Sequence, residues 1–195
     1  MYSFFAMLSR MKYIDRWALM RNSRRENISE HSHEVAVLAH ALAVIGNRRL
    51  GKQLPAERAA LLGLYHDSTE IITGDLPTPI KYRDEHIRSA YKHIEGQAAQ
   101  SLLARLPEDL RGEYGMLFEP QPEDGYLWQL VKAADKLSAL IKCIEEEKTG
   151  NREFSLAQQS IREILDDMPL PELKIFMDEF LPAYSLTLDE MGEMP

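Results

Sequence analysis

Apolar residues recur at three- and four-residue steps along most of this chain, and no period-two alternation survives beyond a few residues. That regularity restricts the fold more than any other feature, because a helix returns to one face every 3.6 residues and a strand every second residue. Phe4, Phe5, Leu8, Met11 and Tyr13 predict a first amphipathic helix ending near Asp15. From Ser29 to about Arg48 the repeat Val35, Leu38, Ala39, Leu42, Ile45 predicts a long second helix, with Ser29 as its N-cap. Pro55 suits the first position of the next, which runs through Leu61, Leu62, Leu64 and Tyr65 to Ile72 and stops at Gly74. Residues 74–79, Gly-Asp-Leu-Pro-Thr-Pro, read as a constrained loop outside regular helix. Further helices are expected at roughly 86–105, 107–117, 125–148, 152–167 and 171–184, with 119–125 as the clearest interior linker. There is no internal repeat and no second composition regime. The expectation is an all-α chain forming a single compact helical bundle over 1–195, with an acidic tail at about 186–195.

Charge and cysteine content exclude some function classes. Lys and Arg number 23 against 31 Asp and Glu, a net charge of −8. A chain that acidic is a poor non-specific partner for a nucleic-acid polymer, whose backbone affinity rests on cations. A small phosphorylated ligand needs only a local cationic spot. Arg10 to Arg25 supplies one, with six basic residues against Asp15. Cys143 stands alone, so no intrachain disulfide forms, which suits a reducing compartment. No signal-peptide pattern and no apolar run of membrane-spanning length is present. A cytoplasmic protein without membrane attachment is expected.

The residues that carry chemistry are few. His66-Asp67 sits near the end of the 55–72 helix, and Glu70 follows four residues after His66, on its face. Taken alone, this also describes a capped helix end with solvated acids. His31 lies one turn into the preceding helix. Asp135 interrupts the apolar stripe Val131-Lys132-Ala133-Ala134-Asp135-Lys136-Leu137. A carboxylate facing a core needs a cation or strong donors. A metal ion meets that need, and so do Lys132 or Lys136.

In chain order these residues spell His, His-Asp, Asp, each expected within a helix. The pattern resembles the HD superfamily of metal-dependent phosphohydrolases. Arg16-Trp17-Ala18-Leu19-Met20-Arg21-Asn22, Asn27-Ile28-Ser29-Glu30-His31-Ser32, Tyr65-His66-Asp67-Ser68-Thr69-Glu70 and the Thr73–Pro79 loop with Lys81 narrow the likeness to the YfbR-type HD-domain 5′-deoxynucleotidases. The resemblance runs along nearly the whole chain, with a metal-site core at about 28–140. It implies one divalent ion held by His31, His66, Asp67 and Asp135, with Glu70 and Arg16 catalytic. It further implies that Arg16 orients the phosphate, that Trp17 with Asp75, Leu76, Pro77 and Thr78 encloses the sugar, and that His31 and Asp135 border the substrate. A homodimer is implied as well. Two imidazoles and two carboxylates suit Co²⁺, Mn²⁺, Fe²⁺ or Zn²⁺.

The remaining histidines do not build a second metal site on this reading: His33, His40, His86 and His93 are expected at the surface or in packing. Trp128 reads as core. The expected reaction is hydrolysis of deoxyribonucleoside 5′-monophosphates to deoxynucleoside and phosphate. A triphosphate or (p)ppGpp substrate is the nearest alternative, and a nucleotide-binding sensor without turnover is another. Against the more highly charged substrates, the sequence shows no additional basic constellation near the motifs.

Overall fold

The computed structural model describes residues 1–81, 83–119 and 121–193, less the side chains of Thr78 and Pro79. Helix α1 (Phe4–Leu8) runs into a 3₁₀ turn, Ser9–Tyr13. The expected first helix is thus two pieces, and the chain is already extended at Ile14. Strands β1 (Asp15–Arg16) and β2 (Glu26–Asn27) pair antiparallel across the intervening loop. This two-residue ladder is the one sheet among the described residues.

Helix α2 (Ile28–Arg49) begins where β2 ends. Its N-cap is Asn27, not Ser29. The Asn27 side chain accepts from the backbone N–H of Ser29 and Glu30 at 3.0 and 3.1 Å, and Glu30 closes a capping box. Pro55 likewise stands at the N-cap of α3 (Ala56–Tyr65) rather than inside it. The expected single helix to Ile72 is broken at 66–69 and resumes as α4 (Glu70–Thr73). In the break Ser68 N–H donates to Tyr65 O and Glu70 N–H to Asp67 O, tighter turns than an α-helix makes. His66 and Asp67 therefore leave the helix axis instead of lying within it. Gly74, at φ +72°, closes α4 in a conformation that favours glycine. The following loop ends sooner than expected, in α5 (Thr78–Lys81), where Pro79 sits in a first turn that needs no N–H from it.

The rest of the chain comprises α6 (Glu85–Leu103), α7 (Glu108–Phe118), α8 (Gly125–Lys148), α9 (Ser155–Asp166), α10 (Pro171–Glu179) and α11 (Leu188–Gly192). A 3₁₀ turn, Arg152–Phe154, precedes α9. Another, Leu181–Ser185, replaces the expected end of α10, where Pro182 has no N–H to continue the helix. The core lies where α2, α3 and α8 pack together, filled by Val35, Leu38, Leu42, Leu62, Leu130 and Leu137. Gly63 lets α3 approach α2, because a Cβ there would lie 3.0 Å from Ala36 Cα. That close crossing carries the end of α3, and His66 with it, towards His31 at the start of α2. The fold is all-α in layout, and among the described residues no helix is long and apolar enough to cross a membrane.

Candidate active site

His31 comes from the first turn of α2, where it is fully buried. Its Nδ1 lies 2.9 Å from Ser138 Oγ, and Ser138 donates its own hydroxyl proton to Glu34 at 2.6 Å. His31 Nδ1 is thus held from outside, by Ser138 and by Arg16 Nη1 at 2.8 Å, and the ring's Nε2 is turned inward. His66 is fixed in the same sense by the break after α3. Its Nδ1 donates to Gly63 O at 2.7 Å, leaving Nε2 inward. Both Nε2 atoms are buried without a hydrogen-bond partner.

Those two free nitrogens face carboxylates. Asp67 Oδ2 lies 3.1 Å from His66 Nε2 and 3.4 Å from His31 Nε2. Ligand-capable atoms of His31, His66 and Asp67 all fall within 4.8 Å of one another. Asp135, on α8, lies outside that group of three and approaches it at His31, its Oδ1 3.3 Å from Nε2. Asp135 also pairs with Lys136 at 3.0 Å, so the second source of charge foreseen for it is present too. Burial opposes ionisation of Asp67 and Asp135, yet protons on the facing imidazoles, and Lys136 for Asp135, hold both carboxyls well below their ordinary range. Free imidazole nitrogens oriented by outer hydrogen bonds, beside ionised carboxylates, form a donor set that fits a divalent ion. The other histidines, His33, His40, His86 and His93, are exposed.

Glu70 opens α4 one turn past Asp67 and is buried, with Oε2 unpartnered. Burial, then the nearby Asp67 and Asp75 carboxylates, push its pKa up to about 9, against a smaller opposing pull from Lys81 and Arg16. Asp75, in the loop after Gly74, is raised by burial in turn, with Arg16 opposing. Leu76 and Pro77 are half-buried beside it, and the Thr78 side chain lies outside the described residues.

Arg16 reaches the cluster from β1. Its Nη1 donates to Glu26 Oε2 at 3.0 Å and stands 2.8 Å from His31 Nδ1, while Nη2 is 3.9 Å from Asp135. Burial disfavours its charge, but Glu26, Asp135, Asp67 and Asp75 together hold its pKa above the ordinary value. The Trp17 indole donates to the same Glu26 oxygen at 3.1 Å and packs against Phe154. Trp17 is also the one described non-glycine residue with positive φ, +56°. Such backbone strain persists only where surrounding contacts impose it. Glu26 and Ser138 were not foreseen: Glu26 meets Arg16 and Trp17 only through the β1–β2 pairing, and the partners of Ser138 lie more than 100 residues away.

A cleft of ≈ 230 Å³ opens onto His66, Asp67 and Asp135. Lys81, Arg88, Lys92 and Lys132 border it, which corrects the expectation that no further basic constellation lies near the motifs. Lys81 pairs with Glu95 at 2.9 Å and Arg88 with Glu85 at 3.5 Å, while among the described residues Lys92 and Lys132 have no acidic partner. Trp128, expected in the core, packs against it half-buried and also lines this cleft. A larger cleft of ≈ 520 Å³ between Arg24, Glu30, His33 and Glu145 mixes both charges and contains none of the clustered ligands. The chemistry therefore belongs to the smaller one.

The family model described as 5′-deoxynucleotidase YfbR-like matches residues 3–184. A 5′-deoxynucleotidase of Shewanella oneidensis is 46% identical over 190 residues, covering 97% of each chain. Among solved structures, an HD-domain phosphohydrolase of Listeria innocua superposes with a TM-score of 0.81 at 21% identity, over 93% of this chain and 88% of that one. An HD phosphohydrolase of cyanophage S-2L, bound to dA and one catalytic Zn²⁺ ion, superposes with a TM-score of 0.61 at 20% identity, over 91% and 95%. At those identities the two structures speak for the fold.

Proposed function

The chain belongs to the YfbR-like 5′-deoxynucleotidase family, and on that premise we infer a metal-dependent phosphomonoesterase that converts deoxyribonucleoside 5′-monophosphates to deoxynucleoside and inorganic phosphate. One structural observation carries the reading: two buried imidazole nitrogens without hydrogen-bond partners, each on a ring whose other nitrogen is hydrogen-bonded outward, converge on Asp67. His31, His66, Asp67 and Asp135 would hold one divalent ion, Co²⁺, Mn²⁺, Fe²⁺ or Zn²⁺. When bound there it would supply Lewis acidity and water activation at neutral pH.

The chain's own residues do the rest. Glu70 handles the proton at the reacting phosphate. Burial and the Asp67 and Asp75 carboxylates raise its pKa, and an ion held by Asp67 would lower it again, so Glu70 serves either to protonate the departing 5′-oxygen or to take a proton from water. Arg16 holds the phosphate with a guanidinium that stays charged throughout. Trp17 covers the sugar edge, and Asp75, Leu76, Pro77 and Thr78 close round it, with Asp75 accepting from the 3′-hydroxyl. His31 and Asp135 border the phosphate from the metal side. A 2′-hydroxyl pressed against Trp17 would be buried without a partner, which disfavours ribonucleotides. The unit is one HD domain over 1–195, acting as a cytoplasmic homodimer on a small nucleotide rather than a nucleic-acid polymer. The shared core from α2 to the turn after α10 supports the single domain.

The unpaired Lys92 and Lys132 favour a second reading, in which the cleft takes a longer polyphosphate. Incubating metal-loaded protein with dAMP, dADP and dATP separates the two. Free phosphate from dAMP alone is expected. Pyrophosphate from dATP would replace the monophosphate reading, and no turnover of any would leave a nucleotide-binding sensor.

A further inference from the structure

The loop between β1 and β2 brings Arg16 and Trp17 to the site, yet it has little hydrophobic hold on the molecule. Of residues 18–25 none is buried, and Leu19 is 79% exposed. Its backbone is held by polar groups some 120 residues away in sequence. Glu146, 2% exposed near the end of α8, accepts from Ser23 N–H at 2.8 Å, from the Ser23 hydroxyl and from Arg24 N–H at 3.4 Å. Lys142, one turn earlier, pairs with Glu146 and donates to Arg24 O at 2.6 Å. Asn151 donates to Glu146 and to Arg21 O, each at 2.7 Å. Asn22 then turns the loop back on Trp17, its amide donating to Trp17 O at 3.1 Å.

We propose that Glu146, with Lys142 and Asn151, is a latch that positions Arg16 and Trp17 for substrate, holding Trp17 in its left-handed conformation. The latch is built apart from the metal cluster, and its residues are positioning residues that touch no substrate. A left-handed tryptophan in a loop without buried side chains relaxes when these anchors go, because the contacts to Glu26 and Phe154 and the β1–β2 pairing hold the ends of the loop and not its turn at Arg21–Arg24. The ring then leaves Phe154 and Glu26, and the guanidinium loses its register with His31. The proposal rests on the roles assigned above to Arg16 and Trp17.

The test uses full-length Asn151→Ala and Glu146→Gln, with the paired variant Lys142→Met/Glu146→Leu in case one unpaired buried charge prevents folding. In a Trp128→Phe background, Trp17 is the sole tryptophan, and its emission should shift to the red and quench more readily with acrylamide. In the native background, KM for dAMP should rise about tenfold while kcat stays within about threefold, a size in keeping with a displaced binding group. The preference for dAMP over AMP should shrink, and bound metal should be unchanged. Unchanged Trp17 emission in these variants overturns the latch whatever the kinetics show. Shifted emission with unchanged KM and sugar preference also overturns it as a positioning device. Trp17→Ala then identifies the cause: if it too is silent, the sugar role of Trp17 is what fails.

Discussion

Helix α8 carries two polar clusters on one face, Asp135 with Ser138 and Lys142 with Glu146, separated by roughly 16 Å of helix rise from first to last. They share a helix and differ in how their atoms are satisfied. Around Glu146 donors from Ser23, Arg24, Lys142 and Asn151 converge on one carboxylate, whose pKa falls to about 2 despite burial because Lys142, Ser23 and Asn151 all favour the charge. Around Asp135 the reverse holds: His31 Nε2, His66 Nε2 and Glu70 Oε2 are buried with no partner. Buried polar groups are ordinarily paired, since leaving one unpaired costs about 1–3 kcal/mol. The saturated cluster is scaffold by this criterion, and the unsaturated one is built to take something from outside.

The most severe way to break the contrast is at the ligands. His66→Ala and Asp67→Ala should abolish bound metal and reduce hydrolysis to background, and should remove the rise in Tm that added metal gives the native protein. The Glu146 variants should keep that rise in full. Elemental analysis after dialysis decides the matter: full metal occupancy in His66→Ala and Asp67→Ala would erase the distinction between the clusters.

Glu70→Gln is the next largest change. It should lower kcat about 10²- to 10⁴-fold, the usual contribution of a positioned acid or base, with metal retained. The pH dependence of stability adds an independent sign. Glu70 titrates near its ordinary value of about 4.5 when unfolded and at about 9 when folded. Between those limits the folded protein binds more protons, so its contribution to stability, complete below pH 4.5, is lost as pH rises towards 9. Glutamine never ionises. In chelator-stripped protein Glu70→Gln should therefore melt above wild type, with the gap near zero at pH 4.5 and widening to pH 9. A gap that is flat or narrows with pH contradicts the raised pKa.

The unsaturated cluster was the more legible of the two in the sequence. His31, His66, Asp67, Glu70 and Asp135 are polar residues placed against apolar repeats, and such conflicts are visible in one dimension. The latch was not, because Ser23, Arg24 and Glu146 are each ordinary surface residues until folding brings them together across 123 positions. The break at 66–69 was hidden for another reason. Tyr65, Ile71 and Ile72 continue the helical period through it, and only the His66 bond to Gly63 O and the tighter turns reveal it. Ser29 and Asn27 are both good caps, and the extended conformation of Asn27 at the end of β2 decided between them. The cationic rim is contributed by α5, α6 and α8, so its convergence exists only in three dimensions.

That rim gives the smallest expected effect and the sharpest difference in kind. The chain carries a net charge of −8, and Asp67, Asp75 and Asp135 surround the cluster that must admit a dianion. Lys92 and Lys132, exposed and without acidic partners among the described residues, are placed to offset that field at the cleft mouth. Lys92→Gln/Lys132→Gln should lower kcat/KM for dAMP about three- to tenfold at low ionic strength, through KM, as expected for steering by a few exposed charges. The deficit should fade with added salt, because the screening length shrinks from about 30 Å at 0.01 M to about 3 Å at 1 M. The Asn151→Ala defect should persist at the same salt, since a misplaced loop is not repaired by screening. A rim variant equal to wild type at low ionic strength would make Lys92 and Lys132 a solvated face. A rim defect indifferent to salt would mean that the lysines touch the substrate directly, and the line between steering and contact would move to the cleft mouth.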